Sequence, residues 1–538
     1  MKRRIGLLGY LGLLAPITAQ HYHQPFLQED RLHLERSLSR RGMDVHTSIK
    51  PYRVSELKKV ADPDSVLGVR QWNNRFSRTW VGRKLLNEDL VQVYVPGFDF
   101  QLNPVIDFNT GRDFASEDEQ RLWTNTRGFT LRGNFGKKFS FYSDFYENQA
   151  LFPGYINDIS NSLAIVPGMG RSKPFKDAGA IDWAWANAYV VYQPIEQISL
   201  EFGQGRNFFG DGYRSLLLSD AAFNYPYFKI STEIWKIRYT NLFAEFQDIT
   251  PSMAGDNLNW KKYGAFHYLD ISIVPGLNLG LFEGVIFSGR DSTGLNRGFE
   301  VSYLNPVIFY RPIEYGLGSY DKVMIGANLR WRITPSHQLY GQVLIDEFNL
   351  SAVLGNPQPG WRANKQGFQV GYKYFDVFGL EGLHFQTEFN YVPPYTYAHW
   401  RVNQGYGHYN QPLAHPLGAN FAEILGFLNY RRNRITAQAR YSFAVSGQDR
   451  GDGISWGGNV FAMDTNHPYE YQNVVGQGNR TTIAVLEAST AYIINPRYGL
   501  RFETGLRVRQ AANESGVNTH TWFWIGLRTN LPNRYFDW

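Results

Sequence analysis

The chain has 538 residues, of which 43% are hydrophobic and only 19% charged, and its formal net charge is +6. The basic excess is spread along the sequence rather than gathered in a run, which argues against a nucleic-acid arm. The absence of cysteine excludes a disulfide framework, thiol chemistry and any thiolate metal site. Aromatic residues make up 16% of the chain beside 52 Gly. Aromatic girdles at two membrane interfaces, with glycines where strands bend or pack closely, account for both excesses, although an aromatic-rich soluble lectin also would.

Residues 1–20 join a basic start, Lys2, Arg3 and Arg4, to an apolar run from Ile5 to Ile17 and small residues at Thr18 and Ala19. This reads as a secretory signal peptide cleaved near Ala19 or Gln20. No later segment approaches the ~20 apolar residues of a spanning helix, so any membrane crossing falls to strands. Residues 21–97 are mixed and polar, punctuated by Pro51, Pro63 and Pro96. Within them Leu27 to Arg40 reads as a short amphipathic helix, with Leu27, Leu34 and Leu38 on one face and Arg31 and Glu35 off it. The expectation is a small periplasmic segment or plug of short helices, the alternative a poorly ordered leader. His21 and His23 fall short of an ordinary ligand set, and neither a metal nor a cofactor is expected.

From residue 98 to 538 the texture changes to segments of about a dozen residues with period-two alternation. In Arg497 to Gln510, Tyr498, Leu500, Phe502, Leu506 and Val508 fall on one face; Arg497, Arg501, Glu503, Arg507 and Arg509 fall on the other. The same split recurs over Gly382 to Asn390 and Arg434 to Phe443. About eighteen such segments fit between residues 98 and 530, and the connections between them alternate without exception between tight turns, such as Gly136-Lys137 and Pro275-Gly276, and longer polar loops, such as 149–182, 290–320, 393–418 and 447–480. A soluble Greek-key protein has no reason to sort its loops this way. The expected fold is therefore all-β, a transmembrane antiparallel outer-membrane β-barrel of about eighteen strands with a small helical N-terminal periplasmic segment, in the outer membrane of a Gram-negative bacterium. Inward-facing Arg434, Arg440, Arg501, Arg507 and Arg509 form either an anion-attracting wall or a ladder paired with Glu503, Glu388 and luminal Asp.

Two short matches carry little chemistry. Gly453-Ile454-Ser455-Trp456-Gly457 fits the nucleophile-elbow pattern but lies in a polar loop without a following helix, and Arg450-Gly451-Asp452 in the same loop reads as coincidence. No Ser, His and acid set falls at adjacent strand ends, so the chain is not expected to be an enzyme. The segment from Gly203 to Asp220, GQGRNFFGDGYRSLLLSD, is the most unusual one. Its glycines permit tight excursions, Arg206, Asp211 and Arg214 supply polar contacts, and Leu216 to Leu218 must be buried, so it folds inward as a brace or a ligand site.

This segment, with Ala221, Ala222, Phe223, Tyr225 and Pro226, resembles the central signature of the capsule assembly Wzi family, in particular its RemB-like gliding-motility members. Asn305-Pro306-Val307-Ile308-Phe309-Tyr310-Arg311-Pro312 resembles a second block of that branch. The resemblance runs from about residue 98 onward and implies an eighteen-stranded outer-membrane barrel that holds or handles surface polysaccharide, with roles in adhesion and movement in the gliding branch. The C-terminus departs from the usual barrel-assembly signal, because a tail from Asn533 to Trp538 follows the last strand.

The leading functional expectation is a surface protein whose loops and rim contact an extracellular glycan through aromatic faces and Arg or Asp side chains. The candidate residues are Arg206, Asp211, Tyr213 and Arg214, with Trp400, Tyr406 and His408 from another loop. The expected partners are outer-membrane lipid and surface polysaccharide, with secretion or motility proteins as a further class and no nucleic acid. The rivals are a porin or transporter, whose charged lumen selects solutes, and a structural subunit of a secretion or motility complex.

Overall fold

The computed structural model describes residues 21–25, 27–40, 45–116, 120–176, 179–250, 259–290, 294–307, 309–347 and 359–538; the signal-peptide reading of residues 1–20 lies outside them. Eighteen antiparallel strands close into one barrel. In chain order they are β1 (Phe98–Asp113), β2 (Leu122–Phe135), β3 (Phe139–Leu151), β4 (Ala180–Ile195), β5 (Ile198–Gly205), β6 (Tyr225–Ile234), β7 (Ile237–Asp248), β8 (Trp260–Val274) and β9 (Leu277–Ser288). They continue as β10 (Lys322–Arg332), β11 (His337–Glu347), β12 (Lys365–Phe375), β13 (Leu383–Val392), β14 (Phe421–Arg432), β15 (Ile435–Gln448), β16 (Asn479–Asn495), β17 (Leu500–Asn513) and β18 (Gly516–Arg528). β18 pairs with β1 and seals the cylinder.

Alternation along the strands divides the wall into two faces. Phe202, Val343, Val370, Leu486 and Phe502 point outward and are exposed, and aromatic side chains gather at the short-turn end, where Phe135, Tyr192, Trp235, Trp331 and Phe378 are exposed. That is the apolar band and aromatic girdle of a membrane barrel. Connections at one end are tight, as at 235–236 and 275–276, and those at the other are long, as at 206–224, 289–321 and 393–420. The last hairpin breaks the expected rule: β17 and β18 are joined at the long-loop end by Glu514-Ser515 alone.

The lumen is filled. A helix α1 (Gln28–Arg40) enters it, and its expected polar side is as buried as its apolar one, with Arg31 and Glu35 as hidden as Leu34 and Leu38. The barrel surrounds the helix, so each polar group finds a wall or plug partner: Arg31 donates to the Gly212 carbonyl at 2.8 Å and Lys373 to Glu35 at 2.5 Å. A second helix, α2 (Val54–Val60), follows inside. Both early and late parts of the segment reach the short-turn end: Ser39 donates to the Pro335 carbonyl at 2.8 Å, Asn495 donates to the carbonyls of Lys84 and Glu88, and Val91–Val95 pairs with the start of β1. Residues 21–97 thus supply both a helical filling of the lumen and contacts at its short-turn rim. The C-terminal tail also turns inward, burying Tyr535, Phe536 and Asp537.

Part of the loop between β9 and β10 lies on the outside of the wall. Leu242, Phe266 and Phe282 face the luminal core, so their neighbours Asn241, His267 and Glu283, which the register places side by side, face outward. A carboxylate on the lipid face near mid-strand is costly. Here it is covered: Glu283 accepts from the backbone N–H groups of Phe309 and Tyr310, His267 lies 3.0 Å from the Asn305 carbonyl, and Asn241 donates to that of Pro306. Tyr303 and Tyr310 are buried beneath the segment against Phe243, Val285 and Phe287. The block that includes Asn305-Pro306-Val307 is therefore an external strap, not a free extracellular loop.

Candidate functional site

The segment between β5 and β6 crosses the lumen. Leu216, Leu217 and Leu218 are fully buried among Tyr225, Phe266, Tyr268, Leu344, Tyr397 and Tyr406, which disposes of the apolar triplet. Its backbone is held from the wall: Glu388 of β13 accepts from the N–H groups of Tyr213 at 2.8 Å and Arg214 at 3.1 Å. Two glycines permit this approach. Gly210 has φ +145°, and a Cβ at Gly212 would lie 2.4 Å from the Glu388 carboxylate.

Three of the four candidates on this segment are interior braces. Arg214 pairs with Glu423 at 2.9 Å and Asp537 at 3.4 Å, with His415 closing on Glu423 at 2.7 Å. Burial works against the Asp537 carboxylate, but Arg214 and Arg440 outweigh it and hold its pKa below the usual range. Tyr213 donates to Asp537 at 3.0 Å, and Asp211 accepts from Thr47 at 2.6 Å and Asn328 at 2.9 Å. Arg206 is half-buried, stacked 4.9 Å over Trp185, with Nη1 donating to the Asp220 carbonyl at 2.6 Å. It lines a cavity of about 180 Å³ between plug and wall.

The loop 393–420 splits between inside and outside. The Tyr397 and Tyr406 hydroxyls reach in and donate to the carbonyls of Leu216 at 2.8 Å and Leu217 at 2.6 Å. His408 is also interior: Nδ1 accepts from the Gln247 N–H at 2.9 Å and Nε2 faces the Asn224 carbonyl at 3.1 Å. Burial pushes its pKa down to about 3, so the ring is neutral. Trp400, by contrast, is 41% exposed. The structure gathers around it Arg401, whose guanidinium lies 4.4 Å from the ring centroid, exposed Tyr320 at 6.1 Å and His399 at 5.6 Å. Burial, and then Lys322, depress the His399 pKa to about 4.

Tyr320 and Arg401 were missed in the sequence reading. The adjacent His399-Trp400-Arg401 was a usable signal for Arg401, whereas Tyr320 comes from another loop and only the fold brings it near.

The arginine wall is a paired ladder. Arg440 meets Glu487 at 2.7 Å and Asp537 at 3.1 Å, Arg507 reaches Glu487, and Arg501 meets Glu503 at 3.0 Å and Glu29 at 3.1 Å. Arg434 donates to the Ile494 carbonyl at 2.8 Å and Arg509 to the Trp538 carbonyl at 3.0 Å. Three of the five arginines are thus matched by carboxylates, and Arg434 and Arg509 by backbone carbonyls. In the Arg450-Gly451-Asp452 loop, Arg450 stacks 4.5 Å over Trp456 and Asp452 accepts from its indole at 3.1 Å, so the triplet is closed on its own loop. His23 lies 3.0 Å from Glu201 and stacks on Tyr189. Among the described residues no cluster of His, Asp and Glu is arranged to hold a metal.

No family model and no curated protein matches the sequence. Solved structures do match the fold. OprD and OpdK of Pseudomonas aeruginosa align with TM-scores of 0.41 and 0.44 at 11% and 10% identity, over 80% and 81% of this chain and 94% and 99% of theirs. Wzi of Escherichia coli, described as a carbohydrate-binding β-barrel involved in group 1 capsule assembly, aligns with a TM-score of 0.55 at 13% identity, over 96% of this chain and all of its own. The chain has the fold of an outer-membrane β-barrel, similar to Wzi over nearly its whole length.

Proposed function

We propose that this protein is a non-enzymatic outer-membrane barrel that binds or organises cell-surface polysaccharide, in capsule assembly or in the adhesion and movement of a gliding cell. One contrast carries the reading: the lumen is filled by interlocking, paired side chains, while exposed Tyr320 and Trp400 gather with half-buried Arg401 at the long-loop rim. Flat aromatic faces bind sugar rings, and a guanidinium beside them bonds hydroxyls or sugar carboxylates. A solute-selecting pore needs the opposite arrangement, an open charged lumen. The likeness to the Wzi fold supports the same reading.

The test is retention of surface polysaccharide on cells carrying Trp400→Ala with Arg401→Ala, alongside Arg206→Ala. Retention falling in the rim variant is expected. Unchanged retention together with stable anion-selective conductance of the wild-type protein in planar bilayers would favour a porin instead.

A further inference from the structure

The cavity beside Arg206 has a built wall. Inward-facing positions of β3 and β4 pair as rungs, with Tyr142 opposite Tyr189, Asp144 opposite Asn187 and Tyr146 opposite Trp185. Rings in both aromatic rungs lie nearly parallel, with centroids 5.2 Å apart at 16° and 6.0 Å apart at 15°. Four residues of strand separate the rungs, about 13 Å. All these residues line the cavity, as do Arg206 and Asp220 from the plug.

Four polar groups on this lining have no hydrogen-bond partner, Trp185 Nε1 and Asn207 Nδ2 among them. The Tyr146 hydroxyl and the Oδ2 of Asp220 are unbonded, although the residues are only 1% and 3% exposed. The other Asp220 oxygen accepts from Tyr535 at 2.5 Å. An unmet buried polar group costs roughly 1–3 kcal/mol, and here both adjoin a space of about 180 Å³. That space takes on the order of a dozen waters or one pyranose ring. Arg497 and Tyr498, in the turn after β16, also line it, and the Arg497 side chain is 40% exposed. The cavity therefore faces the short-turn end, away from Trp400.

We propose that this cavity is a saccharide subsite. A single pyranose ring occupies the space bounded by the two aromatic rungs, with its hydroxyls bonded to the Tyr146 hydroxyl and Asp220 Oδ2, and reaches the site from the short-turn end. The choice of a sugar over another hydroxylated ring rests on the glycan reading above.

The full chain, purified in detergent, is titrated with methyl α-glucopyranoside, methyl α-galactopyranoside and methyl glucuronide, and followed by saturation-transfer NMR. Saturable binding of at least one is expected, about tenfold weaker in Tyr146→Phe and in Asp220→Asn, and unchanged in Arg362→Ala. Both test substitutions keep the side-chain shape, and heat-modifiable migration on gels reports an intact barrel. No saturable binding, or binding that survives both variants, overturns the subsite and leaves a water-filled cavity. Polysaccharide retention in the rim variants is scored separately, so a failed subsite with retention lost at the rim leaves the glycan reading standing, while intact subsite binding with unchanged retention removes the rim reading alone.

Discussion

The inner plug and the outer strap solve one problem on opposite faces of the wall. Each is irregular chain lying against a strand at membrane depth, where unpaired backbone N–H groups are costly. Each is gripped by one glutamate accepting from two consecutive N–H groups: Glu388 holds Tyr213 and Arg214 inside, and Glu283 holds Phe309 and Tyr310 outside. The difference lies in what surrounds the grip. Glu388 also accepts from Tyr340 at 2.9 Å and from Asn390 at 2.9 Å, and the residue it holds, Arg214, is tied to Glu423 and Asp537. The strap has Asn241 and His267 beside Glu283 and then exposed Val301, Val307 and Phe309. The plug should therefore behave as part of the fold, and the strap as a segment that opens by itself.

The strongest test of that contrast removes Arg214. Arg214→Ala leaves Glu423 buried with His415 as its remaining partner and Asp537 ion-paired with Arg440 alone, a loss of about 3 kcal/mol. Thermal unfolding followed by heat-modifiable migration should shift to lower temperature, and the C-terminal tail should become accessible to carboxypeptidase. A variant as stable as the wild type would mean that the plug is not integral.

Acid should loosen the loop that descends onto the plug. His408 has its pKa in the folded chain near 3 because burial disfavours the charged ring. A histidine depressed below its unfolded value near 6.5 contributes stability that is complete above about pH 6.5 and is lost as the pH falls toward 3. At pH 4 the loss is roughly 3 kcal/mol. Hydrogen exchange of residues 393–420 should speed up between pH 7 and 4, and His408→Gln should flatten that dependence. An unchanged exchange rate in that loop would count against a buried, neutral His408 as part of its hold.

The barrel itself was legible in the sequence because alternation and turn spacing are local. Arg501, Glu503, Arg507 and Arg509 fall on the luminal face as the period-two pattern of that strand requires. Inward burial of Leu216 to Leu218 was legible too, since three successive leucines have no other place in a polar loop. The outward placement of Glu283 was not. It breaks the pattern of its strand, and its reason lies in a loop whose path depends on tertiary contacts with Asn241 and His267. For the same reason Tyr406 and His408 read as part of a rim site, and the sequence left open whether Asp211, Tyr213 and Arg214 brace the barrel or hold a ligand. Composition distinguishes a polar loop from an apolar one, but not a loop that leaves the barrel from one that descends into it. Of the candidates on loop 393–420 only Trp400 stays outside, beside Arg401 of the same loop and Tyr320 of the loop between β9 and β10.

Removing the outer grip should cost less than removing the inner one. Glu283→Ala leaves the Phe309 and Tyr310 N–H groups without their acceptor, roughly 2 kcal/mol, confined to the strap. Limited proteolysis should cut within 299–310 while the thermal transition of the barrel stays in place. A global loss of stability would show that the strap is as integral as the plug.

The smallest effect separates the long loops that stay outside from those that descend. Arg362 and Glu470 pair at 3.0 Å between two outer loops, with side chains 21% and 40% exposed, so solvent screens the pair and its contribution is about 0.5 kcal/mol. Arg362→Ala should leave the thermal transition, the acid response and the carboxypeptidase resistance of the tail unchanged. A measurable shift in any of them would mean that residues 449–478 couple to the plug through Gln477, which donates to the Tyr395 hydroxyl at 3.3 Å, and the boundary between rim and plug would then lie further out than Trp400.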